Sequence, residues 1–104
     1  MSIELLALVR VSPDRLAALA AAGYRVREAA KHASRMDAIR AAGAAVRAVL
    51  TNGRGGLSAE EMALLPNLEI ICASGAGYEG VDLAWARSRG IAVAEHPGAS
   101  GAAV

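Results

Sequence analysis

Two short stretches of the 104-residue chain carry residue types that can do chemistry at their spacing: Asn52-Gly53-Arg54-Gly55-Gly56 and Ser74-Gly75-Ala76-Gly77-Tyr78-Glu79-Gly80. Glycine has no Cβ, so a backbone rich in it approaches a ligand closely, and several N–H groups can converge on the same oxygen atoms. Such a concavity suits an anion. Tight strand-to-helix turns use the same glycines with no ligand at all. The second stretch also spells G-x-G-x-x-G from Gly75 to Gly80, with Glu95 20 positions after Gly75. Read literally, that is a dinucleotide fingerprint, with pyrophosphate on a helix start and the acid on a ribose hydroxyl. Its surroundings speak against that reading. The fingerprint's helix begins inside the motif, whereas Val81-Asp82 looks like a fresh helix start after it, and only ten residues separate Gly80 from Ile91. Asp82 would also place its own carboxylate where a phosphate must sit.

The remaining reactive residue types are scattered. Cys72 lies inside an apolar run and reads as a buried structural thiol. His32 and His96 are 64 positions apart and share no metal-ligand spacing with Cys72, so no metal site is expected. Lys31 is the only lysine, which leaves no phosphate-loop lysine. Trp85, bulky in a chain with 26 alanines, is expected to fill a packing seam.

The elements that must position the two glycine stretches follow from the apolar rhythm. The unbroken apolar run over 5–9 reads as a strand buried on both faces, the apolar-rich runs over 46–50, 68–73 and 91–94 read as further strands, and a shorter, more polar run over 24–28 reads as an edge strand. Between them lie helix signals. Ser12-Pro13-Asp14 opens a helix that Gly23 stops; Ser34 opens the next with Asp37 at the capping-box position; Ser58 and Glu61 form a full capping box ahead of Pro66; and Asp82 caps a short helix ending at Gly90. Five strands alternating with four helices, with no hairpin turn, predict an α/β domain: a flavodoxin-like three-layer fold with a five-stranded parallel sheet in the order 2-1-3-4-5. Ligands of such sheets sit beyond the carboxyl ends of the strands. Both glycine stretches fall there.

Composition narrows the function classes. Apolar residues make up 55%, aromatics 3% with no Phe, so the core must be built from Leu, Ile, Val and Ala. Eleven basic against ten acidic residues give a net charge of +1, which excludes nucleic-acid binding driven by bulk charge. Residues 1–52 carry 8 basic and 4 acidic groups (+4) and residues 53–104 carry 3 and 6 (−3), a mild polarity across the domain. A single cysteine cannot form an internal disulfide, nothing at the start reads as a signal peptide, and no apolar run approaches the ~18 residues of a membrane helix. A cytoplasmic protein with no membrane partner is expected.

Taken as an ordered block, Asn-Gly-x-x-Gly-Leu-Ser at 52–58, Leu-Pro-x-Leu-Glu-Ile-Ile at 65–71, Gly-x-Gly-Tyr-x-x-Val-Asp-Leu at 75–83, Ala-x-x-Arg-Gly-Ile-x-Val at 86–93 and then Pro97-Gly98 resemble one family. They look like the N-terminal substrate-binding domain of the D-isomer-specific 2-hydroxyacid dehydrogenases, glyoxylate/hydroxypyruvate reductase type. The resemblance covers essentially the whole chain and is densest from 49 to 98. It implies a substrate-binding domain over 1–98, the start of an interdomain segment at 99–104, and a nucleotide-binding domain outside this chain that carries the true fingerprint and the catalytic arginine, glutamate and histidine. It implies NAD or NADP as the parent's cofactor, a small 2-oxo or 2-hydroxy acid as substrate, and a homodimeric parent. Residue by residue, it places the substrate carboxylate on the backbone amides of Gly75, Ala76 and Gly77, with Asn52, Gly53 and Arg54 forming the other wall and Tyr78 beside the carboxylate loop. No catalytic or cofactor-binding residue is expected in the chain itself, which alone should be inactive. Glu95-His96-Pro97 departs from the family's common Asn-Thr-Pro, and Gly101, next to Ser100, replaces a threonine that lies near the nicotinamide; Val104 matches a valine near the same ring. The alternative is a stand-alone flavodoxin-like module that binds small anions or a partner without catalysis.

Overall fold

The computed structural model describes residues 2–52, 55–74 and 80–96, and the side chains of all of these except Ser74, Glu95 and His96. Each crossover begins with a local cap. Ser12 Oγ accepts the Arg15 N–H at 3.3 Å and starts α1 (Pro13–Ala21), with Pro13 in its first turn. Gly23, at φ 98°, turns the chain into the edge strand β2 (Tyr24–Glu28). A 3₁₀ turn (Ala29–Lys31) leads to Ser34, whose Oγ accepts the Asp37 N–H at 3.1 Å and starts α2 (Arg35–Ala42). Only that half of the expected capping box forms, since the Asp37 side chain is one methylene shorter than Glu. A second 3₁₀ turn (Gly43–Ala45) leads to β3 (Val46–Asn52). The box at α3 (Ala59–Ala63) is complete: Ser58 Oγ accepts the Glu61 N–H and Glu61 accepts the Ser58 N–H. The chain then forms β4 (Ile70–Ser74), α4 (Leu83–Ser88) and β5 (Ala92–His96).

These strands, with β1 (Ile3–Ala7), form one parallel sheet in the order β2-β1-β3-β4-β5, as expected from the alternation of elements. Their ends differ from the apolar runs. β1 begins two residues early because Ile3 pairs with Tyr24 and donates its N–H to the Gly23 carbonyl at 2.9 Å; Leu8 and Val9 lie past the strand and pack against the cores. β3, β4 and β5 run further toward their carboxyl ends, where Asn52, Ser74 and His96 line up in register. Cross-strand pairing carries polar residues that an apolar pattern does not include.

Two clusters cover the sheet's faces. On one, Leu6, Val46, Val49 and Ile71 pack under Ile39 of α2, Met62 of α3 and Ala86 of α4. On the other, Leu5, Ala7, Ala48 and Leu50 meet Leu16 and Leu19 of α1, which itself buries no residue fully. Val46 and Val49 are an odd number of positions apart, yet both serve the first cluster. A register irregularity opposite Glu4/Leu5 leaves Arg47 out of step and restores the alternation.

Candidate functional site

The carboxyl ends of β3 and β4 carry the two glycine stretches, and they leave the sheet side by side because Asn52 pairs with Ser74. The first turn is held from within and without. The Asn52 carbonyl accepts the Gly56 N–H at 2.7 Å, and Asn52 Oδ1 accepts the Gly55 N–H. The Gly56 carbonyl accepts two donors, Thr51 Oγ1 at 2.8 Å and Arg35 Nη2 at 2.7 Å. Thr51 is wholly buried. Arg35, the first residue of α2, reaches this carbonyl because it is locked onto Glu61 of α3 by a bidentate pair, Nε at 2.8 Å and Nη2 at 3.0 Å. Glu61 therefore does two things: it completes the α3 capping box and it aims Arg35 at the turn. Burial raises the Glu61 carboxyl, but hydrogen bonds from Arg35 and the Ser58 N–H, with the guanidinium charge, outweigh that and hold its pKa below the usual glutamate value.

The far ends of the two stretches also meet. Leu57 donates its N–H to the Gly80 carbonyl at 2.9 Å, Asp82 donates its N–H to the Leu57 carbonyl at 3.0 Å, and Leu57 and Val81 form a parallel bridge. Gly56 lies so close to Gly80 that a Cβ on it would overlap the Gly80 carbonyl, and its φ is 54°. Only glycine satisfies both demands. Stretches 52–56 and 74–80 are thus joined at their starts by the sheet and at their ends by Leu57.

The literal fingerprint fits this geometry poorly. Asp82 Oδ1 accepts the Trp85 N–H at 3.0 Å, as the sequence led us to expect, so the start of α4 is already capped by a carboxylate. That helix spans six residues, and the Gly80 carbonyl is engaged by Leu57. Among the described residues there is also no group of three His, Cys, Asp or Glu that could hold a metal ion. Cys72 is half-buried against the second cluster, and burial pushes its thiol up. Trp85 packs against the first cluster with Arg89 4.7 Å over its ring, a seam residue as anticipated.

Of the wall residues drawn from the sequence, Asn52 is described, and its side chain holds its own turn. Gly53, Arg54, Gly75, Ala76, Gly77, Tyr78, Pro97, Gly98, Ser100, Gly101 and Val104 lie outside the described residues. Arg35 was not singled out from the sequence. Its only local signal is its place just after the helix cap Ser34, which says nothing about a loop 21 residues away.

Comparison with known proteins agrees with this architecture. The sequence profile of "D-isomer specific 2-hydroxyacid dehydrogenase, catalytic domain" matches residues 5–104. A 2-ketogluconate reductase of Gluconobacter oxydans (strain 621H) is 44% identical over 50 residues, 48% of this chain and 16% of that protein. The structure of a 2-hydroxyacid dehydrogenase from Ketogulonicigenium vulgare Y25 superposes with a TM-score of 0.81 at 34% identity, covering 93% of this chain and 30% of that one. A dehydrogenase from Rhizobium meliloti superposes with a TM-score of 0.73 at 40% identity, covering 89% and 33%. This chain thus spans a third or less of each of these relatives. A profile match over nearly the whole chain and a shared fold at 34–40% identity establish that it belongs to the D-isomer specific 2-hydroxyacid dehydrogenase family.

Proposed function

We propose that the chain is the substrate-binding part of an NAD(P)-dependent oxidoreductase that reduces small 2-oxo acids, of the glyoxylate or hydroxypyruvate kind, to D-2-hydroxy acids. Residues 1–98 form the substrate domain and 99–104 begin an interdomain segment. The cofactor and the acid–base residues belong to a nucleotide-binding domain outside this chain, in a cytoplasmic homodimer. One observation supports the reading most: the glycine stretches after β3 and β4 are tied together at both ends, which makes one cleft wall of two separate loops. In that wall the backbone amides of Gly75, Ala76 and Gly77 hold the substrate carboxylate. Backbone N–H groups suit this task because they bind an anion without a second buried charge. Asn52, Gly53 and Arg54 lie beside it and complete the pocket, and Arg35 keeps their turn in place through Gly56.

An NMR titration of the chain with glyoxylate or oxalate tests the cradle. Weak, saturable amide shifts confined to small anions are expected, because half the pocket is missing and few ligand atoms contribute. Gly77→Val should abolish them and Glu95→Ala should leave them unchanged. Saturable NAD binding lost with Glu95→Ala would instead assign a dinucleotide site.

A further inference from the structure

A second concavity lies at the same edge of the sheet, beyond the carboxyl ends of β1 and β2. It has a volume of about 380 Å³, is walled by Leu8, Val9 and the alanines around the first 3₁₀ turn, and is lined also by Arg10, His32, Ser34 and Arg35. That size reaches the lower range of small-molecule sites. Its polar lining is one-sided. Arg10 and Arg35 bring positive charge, His32 brings its ring nitrogens, and among the described residues no carboxylate lines it. The nearest acid in sequence, Glu28, is engaged by Lys31 at 3.3 Å, and Glu61 spends its charge on Arg35 Nε and Nη2. The His32 N–H is held by the Ala29 carbonyl at 3.0 Å, but among the described residues the side chains of Arg10 and His32 have no hydrogen-bond or ion-pair partner. Arg35 Nη1 is likewise without a described partner, beside Gly55.

A folded domain normally balances a cluster of cations with carboxylates or leaves the groups dispersed in water. Here two unpaired cationic or donor side chains and the open end of a third converge on an apolar-walled cavity. The cavity is open to water, so the field of these groups is partly screened, but its sign still favours a negatively charged occupant. We infer that this cavity is a second anion site, taking the carboxylate or phosphate of a small molecule, separate from the loops that follow β3 and β4. Arg10 is its principal contact, because it is exposed and its side chain has no partner among the described residues. Arg35 links the two places, since one guanidinium lines the cavity and holds the turn at Gly56.

The site is independent of the reaction proposed above and is tested on the same chain. Titration with inorganic phosphate, followed by amide shifts, should give a saturable response at Arg10, His32, Ala33 and Ser34, with a midpoint on the order of millimolar. Arg10→Ala should weaken it about tenfold, the scale of one charge-assisted hydrogen bond, and Arg10→Glu should abolish it. Both variants alter an exposed side chain, so unchanged spectral dispersion elsewhere certifies the fold. Titration with 2-oxoglutarate then identifies the source of the anion. Competition with phosphate without shifts across residues 55–57 supports a separate small-anion site; competition together with those shifts would assign the cavity to the substrate cleft and overturn its independence. Responses that stay linear in phosphate, or that are the same in Arg10→Glu, overturn the site.

Discussion

At the scale of single residues, the wall after β3 depends on Gly56 and on the Arg35–Glu61 pair. Gly56 combines a positive φ with contact against the Gly80 backbone, so Gly56→Ala meets a strained conformation and a steric overlap together. The variant should lose at least about 2 kcal/mol in chemical denaturation, and small-anion shifts should weaken with it. The pair carries a pH signature. Glu61 titrates lower in the folded chain than in the unfolded one, where the value lies near 4.3. Its contribution to stability is therefore complete above that unfolded value and is lost as pH falls through the folded one. The urea midpoint of the wild type should drop more steeply on acidification below about pH 4.5 than that of Glu61→Gln. An equal slope in both would show that the pair does not couple to folding.

At the scale of elements, the two sides of the sheet are unequal. α2, α3 and α4 place buried side chains on one face, whereas α1 covers the other with residues that keep partial contact with water. Removing a buried side chain leaves a cavity in addition to the lost transfer energy, while a half-exposed one loses only part of the latter. Ile39→Ala should therefore cost about 3 kcal/mol and Leu16→Ala about 1 kcal/mol. Comparable losses would mean that α1 is held as firmly as the three helices opposite. The asymmetry suits the site, because the turn at Gly56 is anchored by α2 and α3, on the better-buried face.

At the scale of the whole molecule, the sheet order brings four strand ends to one rim, with the glycine stretches after β3 and β4 and the cationic cavity beyond β1 and β2. The helix start after Gly80 is capped by Asp82, which occupies the place a pyrophosphate would need there. The purified 104-residue chain is accordingly expected to give no NADH oxidation with glyoxylate or hydroxypyruvate. Turnover in that absorbance assay would place cofactor and acid–base groups within the chain and sink the substrate-domain reading.

What the amino-acid sequence determined unaided is what short range decides. Ser12, Ser34, Ser58 and Asp82 each bond a backbone N–H three residues on, so the helix starts are legible from residue types alone. The strand order followed from alternation and the handedness of crossovers, and the family from an ordered set of motifs. Strand ends were not legible, because Asn52 and Ser74 are strand residues only through each other. Nor was the role of Arg35, which acts on a carbonyl 21 residues away through a carboxylate 26 residues away. Gly56 against Gly80 is of the same kind: each is an ordinary loop glycine until the β3–β4 pairing sets them side by side. Caps and apolar periodicity are properties of neighbours along the chain, whereas the clamp, the joined loops and the cationic cavity arise only once the crossovers have packed separate segments against one rim.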